Sequence, residues 1–343
     1  MVTEVRETKA SVIREVTVLL FWAILKTTNF EIDLPLSPHE GLYWDHQVKR
    51  YMNVIIKNGE NHDMKKRILM FLGLGLLLAG LSACGTSRQR TTSSALPDSS
   101  KYEPTLFFHG WGSSYHAEEQ MAHSLVNAGL TKTIIRATVS KQGKVSLSGQ
   151  FRQGDYHPIV EVGFQDNRNS NPHQWGRWAE ATVIKLQQTY HTKTFNVVGH
   201  SMGNMAIMYY LLDNSRKLPK LQKQVDIAGH FNGILGMGDE PNQMKLKRNG
   251  KPDKMEAGYK ALLPLRQTYP KHQIAVLNIY GDKNDGSHSD GSVSNASSKS
   301  LRYLVAGRAK SYQERKIVGP NAQHSKLHDN PQVDKLLINF LRN

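Results

Sequence analysis

The residues with the clearest chemical potential are Gly199-His200-Ser201-Met202-Gly203. They fit G-x-S-x-G, the spacing that suits a serine nucleophile on a sharp strand-to-helix turn. The apolar run 195–198 before it reads as a buried parallel strand. The stretch 205–210, Met-Ala-Ile-Met-Tyr-Tyr, reads as a helix without Pro or Gly. A turn this tight puts Ser201 in strained dihedrals, and any side chain at 199 or 203 would collide with backbone. The serine hydroxyl then stands clear of the sheet at a helix N-terminus, where the dipole favours negative charge.

Attack on an acyl carbonyl also needs donors for the developing oxyanion. Thr105-Leu106-Phe107-Phe108 is a short apolar strand that runs directly into His109-Gly110-Trp111-Gly112-Ser113-Ser114. A strand ending in H-G-x-G supplies half of such a hole. The amide of Trp111 is the expected donor from this loop, and the amide of Met202 its partner. Gly110 and Gly112 allow close approach of backbone to substrate. His109 reads as a residue that holds the loop by hydrogen bonds rather than one that carries a proton.

A base and an acid must come from further along. The strand 274–280 feeds a polar loop that carries Asp282, Asp285, His288 and Asp290. After the last strand, 312–318, come His324 and His328. Asp282, Asn284 and Asp285 miss the calcium-loop spacing by one residue, so no metal is assigned. On position alone, Asp282 at the strand end competes with Asp290 for the acid.

The elements that must position these groups alternate along the chain. A helix is expected over 117–128, strands over 133–139 and 157–164, and a hairpin or surface excursion over 141–153. Residues 167–172 read as a polar loop and 175–190 as a helix in which Trp175 and Trp178 are core rather than a sugar platform. A strand over 224–228 precedes a poorly patterned stretch, 231–266, which suits either a cap over the site or a solvated loop. A helix over 297–304 and a closing amphipathic helix over 332–341 complete the series. Alternating strands and helices of this kind predict an α/β fold with a mostly parallel central sheet and helices on both faces.

The amino-terminal third reads differently. Residues 64–83 have a basic start (Lys65, Lys66, Arg67), an apolar run from Ile68 and small residues before Cys84. This is the pattern of a lipoprotein signal peptide, with Leu81-Ser82-Ala83-Cys84 resembling a lipobox and Cys84 the lipidated residue. Residues 1–63 lack any domain-like pattern and read as translated upstream sequence, with Met64 the true start, or else as an extension. Residues 84–101 are rich in Ser and Thr and read as a flexible tether. One Cys in 343 residues excludes an internal disulfide and a Cys-based zinc site. The formal net charge is +15, and residues 84–343 carry most of it, with 34 Lys and Arg against 20 Asp and Glu. For an exported protein, that basicity fits anionic lipid headgroups or wall polymers better than nucleic acid.

The order of parts is Ser, then Asp, then His, the chain order of α/β-hydrolases. From about Tyr102 onward the chain resembles that superfamily. More narrowly, it is similar to a family of Gram-positive cell-surface hydrolases, formerly a domain of unknown function. The stretches carrying the likeness are FFHGWGSS, NVVGHSMGN, the FNG at 231–233, SDGSV and HSKLHDNPQV. Asn204 departs from the superfamily, where a third Gly is common. The resemblance implies an α/β-hydrolase fold and a cofactor-free serine hydrolase acting on esters. It also implies roles: Asp290 begins Asp290-Gly291-Ser292-Val293, like the D-x-x-V of lipase-like hydrolases, and His324 matches H-S-x-L. The expected triad is therefore Ser201, His324 and Asp290. A non-catalytic surface-binding protein on this fold, or an acyltransferase using the triad, are the alternatives.

Overall fold

The computed structural model describes residues 101–213 and 218–343. The expected leader 64–83 with residues 1–63, Cys84 and the tether short of Lys101 lie outside them. Among the described residues no helix is long and apolar enough to cross a membrane.

Central strands buried along nearly their whole length dictate the architecture. The strands are β1 (Thr105–Phe108), β2 (Ile134–Val139), β3 (Val145–Ser148), β4 (Ile159–Phe164), β5 (Thr194–His200) and β6 (Lys220–Ile227). After the two-residue strands β7 (Ile234–Leu235) and β8 (Gly238–Asp239) come β9 (Ala275–Asp282) and β10 (Ser311–Val318). The eight longer strands form one sheet in the order β10-β9-β6-β5-β1-β4-β2-β3. Every pairing in it is parallel except the β2–β3 hairpin, where the excursion at 141–153 adds an antiparallel edge.

Such a sheet must be covered on both sides, and alternate residues of each strand serve the two layers. Leu106 and Phe108 of β1 join one core with Trp175 and Trp178, while Phe107 joins the other with Met121 and Leu337. The first layer is closed by α2 (Pro172–Tyr190) and α3 (Met202–Asp213), the second by α1 (Glu119–Asn127) and α8 (Pro331–Arg342). Helix α2 begins at Pro172, three residues before the expected start, because Pro is favoured at the first helical position and Asn171 caps His173 N–H. Between α2 and α8 the chain also forms α4 (Ala257–Leu262), α5 (Leu265–Thr268), α6 (Asn295–Lys299) and α7 (Leu301–Val305). The single helix expected over 297–304 is thus two short ones.

The direction in which successive strands are added to the sheet reverses between β1 and β5, which themselves run parallel. Strands β2 and β4 lie to one side of that line, and β6, β9 and β10 to the other. Ligand sites of open α/β sheets form at the carboxyl ends of the strands at such a switch point. The Ser201 turn and the His109–Gly112 loop both leave the sheet there.

Candidate active site

Ser201 follows the last residue of β5 and precedes the first of α3, with φ of +52°. For a serine that conformation costs on the order of 1–3 kcal/mol, so the surroundings must impose it. They do so through hydrogen bonds. Ser201 N–H donates to the Ile227 carbonyl at the end of β6, 2.9 Å. Asn204 Nδ2 donates to the carbonyls of both Ser201 and Ile227, each at 2.9 Å. The residue that replaces the superfamily's third Gly therefore ties the turn to the sheet. Gly203 cannot be anything else: a Cβ there would lie 2.0 Å from the Phe108 carbonyl oxygen.

His324 reaches this serine from the far end of the chain. Its Nε2 lies 2.9 Å from Ser201 Oγ, and its Nδ1 2.8 Å from Asp290 Oδ2. Asp290 is 1% exposed, and its Oδ1 accepts from Ser292 N–H at 2.8 Å and Val293 N–H at 2.7 Å. With one oxygen held by two amides, the other is left aimed at the imidazole. The Asp290 carbonyl also accepts from His324 N–H, 2.9 Å, so the two residues are joined through backbone as well as side chain. Val293 packs into the core at 2% exposure.

The competing residues have other partners. Asp282 accepts from Asn284 N–H, Asn295 Nδ2 and Lys316 Nζ at 2.9, 2.9 and 3.1 Å. Those bonds outweigh burial and hold its carboxyl below the ordinary range. Asp285 bonds Ser287 and Lys283 at the surface. His288 is 70% exposed and lies 3.6 Å from Asp282. His328 packs behind the site, its ring 4.9 Å from that of His200.

Sequence reasoning assigned no role to three residues that shape this arrangement. Gly281 lies where the acid and histidine loops cross, and a Cβ on it would come within 2.1 Å of the Ala322 carbonyl oxygen. His200, buried in the elbow, lies 3.0 Å through Nε2 from the His324 carbonyl oxygen, to which it can donate. Burial first, then His324 and His328, push its pKa well below that of free histidine, so the ring stays neutral. Its presence as a polar residue ending an apolar strand was the only available signal. Asn232, within the quoted FNG, donates through Nδ2 to Lys254 O and accepts Glu256 N–H through Oδ1. Ser297 Oγ joins Asn232 N–H to Gly233 O, and Leu235 N–H donates to Ser292 O. The 231–256 stretch, open at the sequence level, is therefore stapled to α6 and to the Asp290 turn.

The loop after β1 is clasped from the side. Phe164 N–H donates to His109 Nε2 at 3.1 Å, so Nδ1 carries the proton and donates to Gly110 O at 2.8 Å. Burial lowers the His109 pKa and keeps the ring in that neutral, two-ended role. Gly112 N–H donates to Asn167 O, and Asn167 Nδ2 to Ser113 O. The Trp111 ring is 46% exposed and lies nearly parallel to Trp175, 11° between planes. Among the described residues, no acceptor engages the amides of Trp111 or Met202. A hydroxyl, an imidazole, a carboxylate and two spare amides form a set that can carry out acyl transfer.

Beneath the loop lies a second electrostatic feature. Glu118 is fully buried, and neither carboxyl oxygen has a hydrogen-bond partner. Burial first, then the charges of Asp329 and Glu161, raise its pKa to about 8. The folded protein therefore keeps a proton there that the unfolded chain releases above about 4.5, and stability falls as pH rises between those values. Glu118→Gln stays neutral throughout. Its melting temperature should match wild type near pH 4.5 and exceed it increasingly towards pH 8, by an amount worth up to about 5 kcal/mol. A pH-independent difference in thermal melts would disprove the buried proton.

Residues 93–343 match the family described as alpha/beta hydrolase of unknown function (DUF915). The match begins within the expected tether. No curated protein matches the chain. Among solved structures, the lin2722 gene product of Listeria innocua aligns at 27% identity and a TM-score of 0.63, over 71% of this chain and 94% of its own. A Lactobacillus plantarum WCFS1 protein named as a cell-surface hydrolase aligns at 22% identity and a TM-score of 0.56, over 71% and 90%. The second likeness shows the fold alone.

Proposed function

The chain belongs to the family of α/β hydrolases of unknown function (DUF915), and within it we propose a serine hydrolase that cleaves carboxylic esters. The observation that carries this reading is the hydrogen-bonded chain Ser201 Oγ–His324–Asp290, 2.9 and 2.8 Å per link. Ser201 Oγ attacks the ester carbonyl as His324 Nε2 takes the hydroxyl proton. The oxyanion is held by the amides of Trp111 and Met202. Collapse expels the alcohol, which leaves with the proton from His324. Water then adds to the acyl-enzyme with His324 again as base, releasing the carboxylic acid and restoring Ser201.

No cofactor enters these steps. A fluorophosphonate probe should form a covalent adduct at Ser201, located by peptide mass spectrometry, and the wild type should hydrolyse p-nitrophenyl esters. Absence of both would refute the reading. Product analysis with added alcohol separates hydrolysis from acyl transfer.

We further propose a lipid anchor at Cys84 and a location on the outer face of the cell membrane, on the strength of the lipobox pattern at 81–84. The excess of basic residues in 84–343 supports contact with anionic headgroups or wall polymers. Fatty-acid labelling of the expressed protein that persists in Cys84→Ser would count against the anchor.

A further inference from the structure

Four large apolar side chains are exposed among the described residues: Trp111 at 46%, Tyr156 at 41%, Met237 at 72% and Val318 at 50%. Single exposed apolar residues are ordinary on a protein surface. Their placement here is not scattered, because three of the four leave the carboxyl edge of the sheet, where Ser201 sits. Trp111 follows β1. Met237 lies in the turn between β7 and β8, on the excursion after β6. Val318 is the last residue of β10, in register with Asp282 at the end of β9.

The strand order places these three around the nucleophile. Strands β1 and β6 are the two neighbours of β5, so the Trp111 loop and the excursion that carries Met237 leave the sheet on opposite sides of β5. Strand β10 lies two places beyond β6, and the row from β1 to β10 spans about 19 Å at the usual strand spacing. The residues are also held in place. The Trp111 ring lies over Trp175. The Met237 turn is closed by Met237 N–H to Ile234 O at 2.7 Å and Gly236 N–H to Asp239 O at 2.9 Å, and it is tied to the Asp290 turn through Leu235. Exposed cations share the same edge, with Arg168 against Gly112 and Lys326 two residues after His324.

We propose that this edge is an interfacial face that seats on an anionic lipid surface, with Trp111, Met237 and Val318 entering the headgroup–acyl boundary around Ser201. The substrate class is then an acyl ester of a lipid, drawn from the surface into the site. Apolar side chains around a catalytic mouth gain by entering such a boundary, and the excess of basic residues in 84–343 complements anionic headgroups. This inference rests on the serine-hydrolase reading.

The test compares the full chain with Met237→Ser/Val318→Ser, neither residue being part of the catalytic set. Tyr156→Ser, from before β4 at the opposite edge, is the control. Each is assayed on dissolved p-nitrophenyl acetate and on p-nitrophenyl decanoate carried in phosphatidylglycerol vesicles. The double variant should keep the acetate rate, which also reports that it is folded, and lose about ten-fold or more on the vesicles. Tyr156→Ser should keep both rates. The inference is overturned if the double variant keeps its vesicle rate, if acetate and vesicle rates fall together, or if Tyr156→Ser loses as much on vesicles. A wild type that turns over neither ester and takes no probe at Ser201 marks failure of the hydrolase reading itself.

Discussion

Ser201→Ala is expected to lower kcat on a soluble ester by roughly a million-fold, His324→Ala by a similar factor, and the two together by little more than either. The proposed mechanism requires this non-additivity. The hydroxyl is a weak nucleophile until Nε2, 2.9 Å away, accepts its proton, and the imidazole has no other catalytic task once the hydroxyl is gone. Activity that remains in the double variant would come from the amides of Trp111 and Met202 and from substrate positioning. Single-turnover and steady-state rates on the four proteins, with thermal melts to confirm folding, decide the matter. Losses that multiply, or a Ser201→Ala protein that still turns over, would rule out a shared unit.

Much of this arrangement was legible because tight geometry restricts residue choice. Gly203 lies under the Phe108 carbonyl, so only glycine satisfies the turn, and the pentapeptide announces itself. The fully buried strands read as apolar runs for the same reason, and their order with the helices implied the sheet. The likeness to a hydrolase family agreed with both. Other features depend on contacts between distant segments and leave little local trace. Gly281 is needed only because the histidine loop crosses it. Glu118 looks like a surface helix residue, and only the fold buries it and brings the carboxylates of Asp329 and Glu161 near it. The segment 231–256 lacks apolar periodicity because side-chain and backbone hydrogen bonds to Asn232, Ser294 and Ser297 hold it in place of a core. Position along the sequence could not separate Asp282, the last residue of β9, from Asp290 in the loop that follows, since either place suits the acid.

That last distinction gives the second large expected effect. Asp290→Asn should lower kcat by up to about ten-thousand-fold with KM little changed, whereas Asp282→Asn should keep kcat within a few-fold of wild type. In Asp290→Asn the carbonyl oxygen can still accept from the Ser292 and Val293 amides. The new Nδ2 then faces His324 Nδ1, and as a donor it selects the tautomer with the proton on Nε2. That proton points at Ser201 Oγ, so the imidazole can no longer act as base although every atom stays near its place. Asp282→Asn disturbs a different set. It loses the charge that faces Lys316 but can still accept from Asn284 N–H, so its cost falls on the stability of the loop after β9. Kinetics and melting curves on both variants separate the two roles. If Asp282→Asn lost turnover and Asp290→Asn kept it, the orienting carboxylate would be Asp282, and the 2.8 Å link from Asp290 to His324 would have no part in the chemistry.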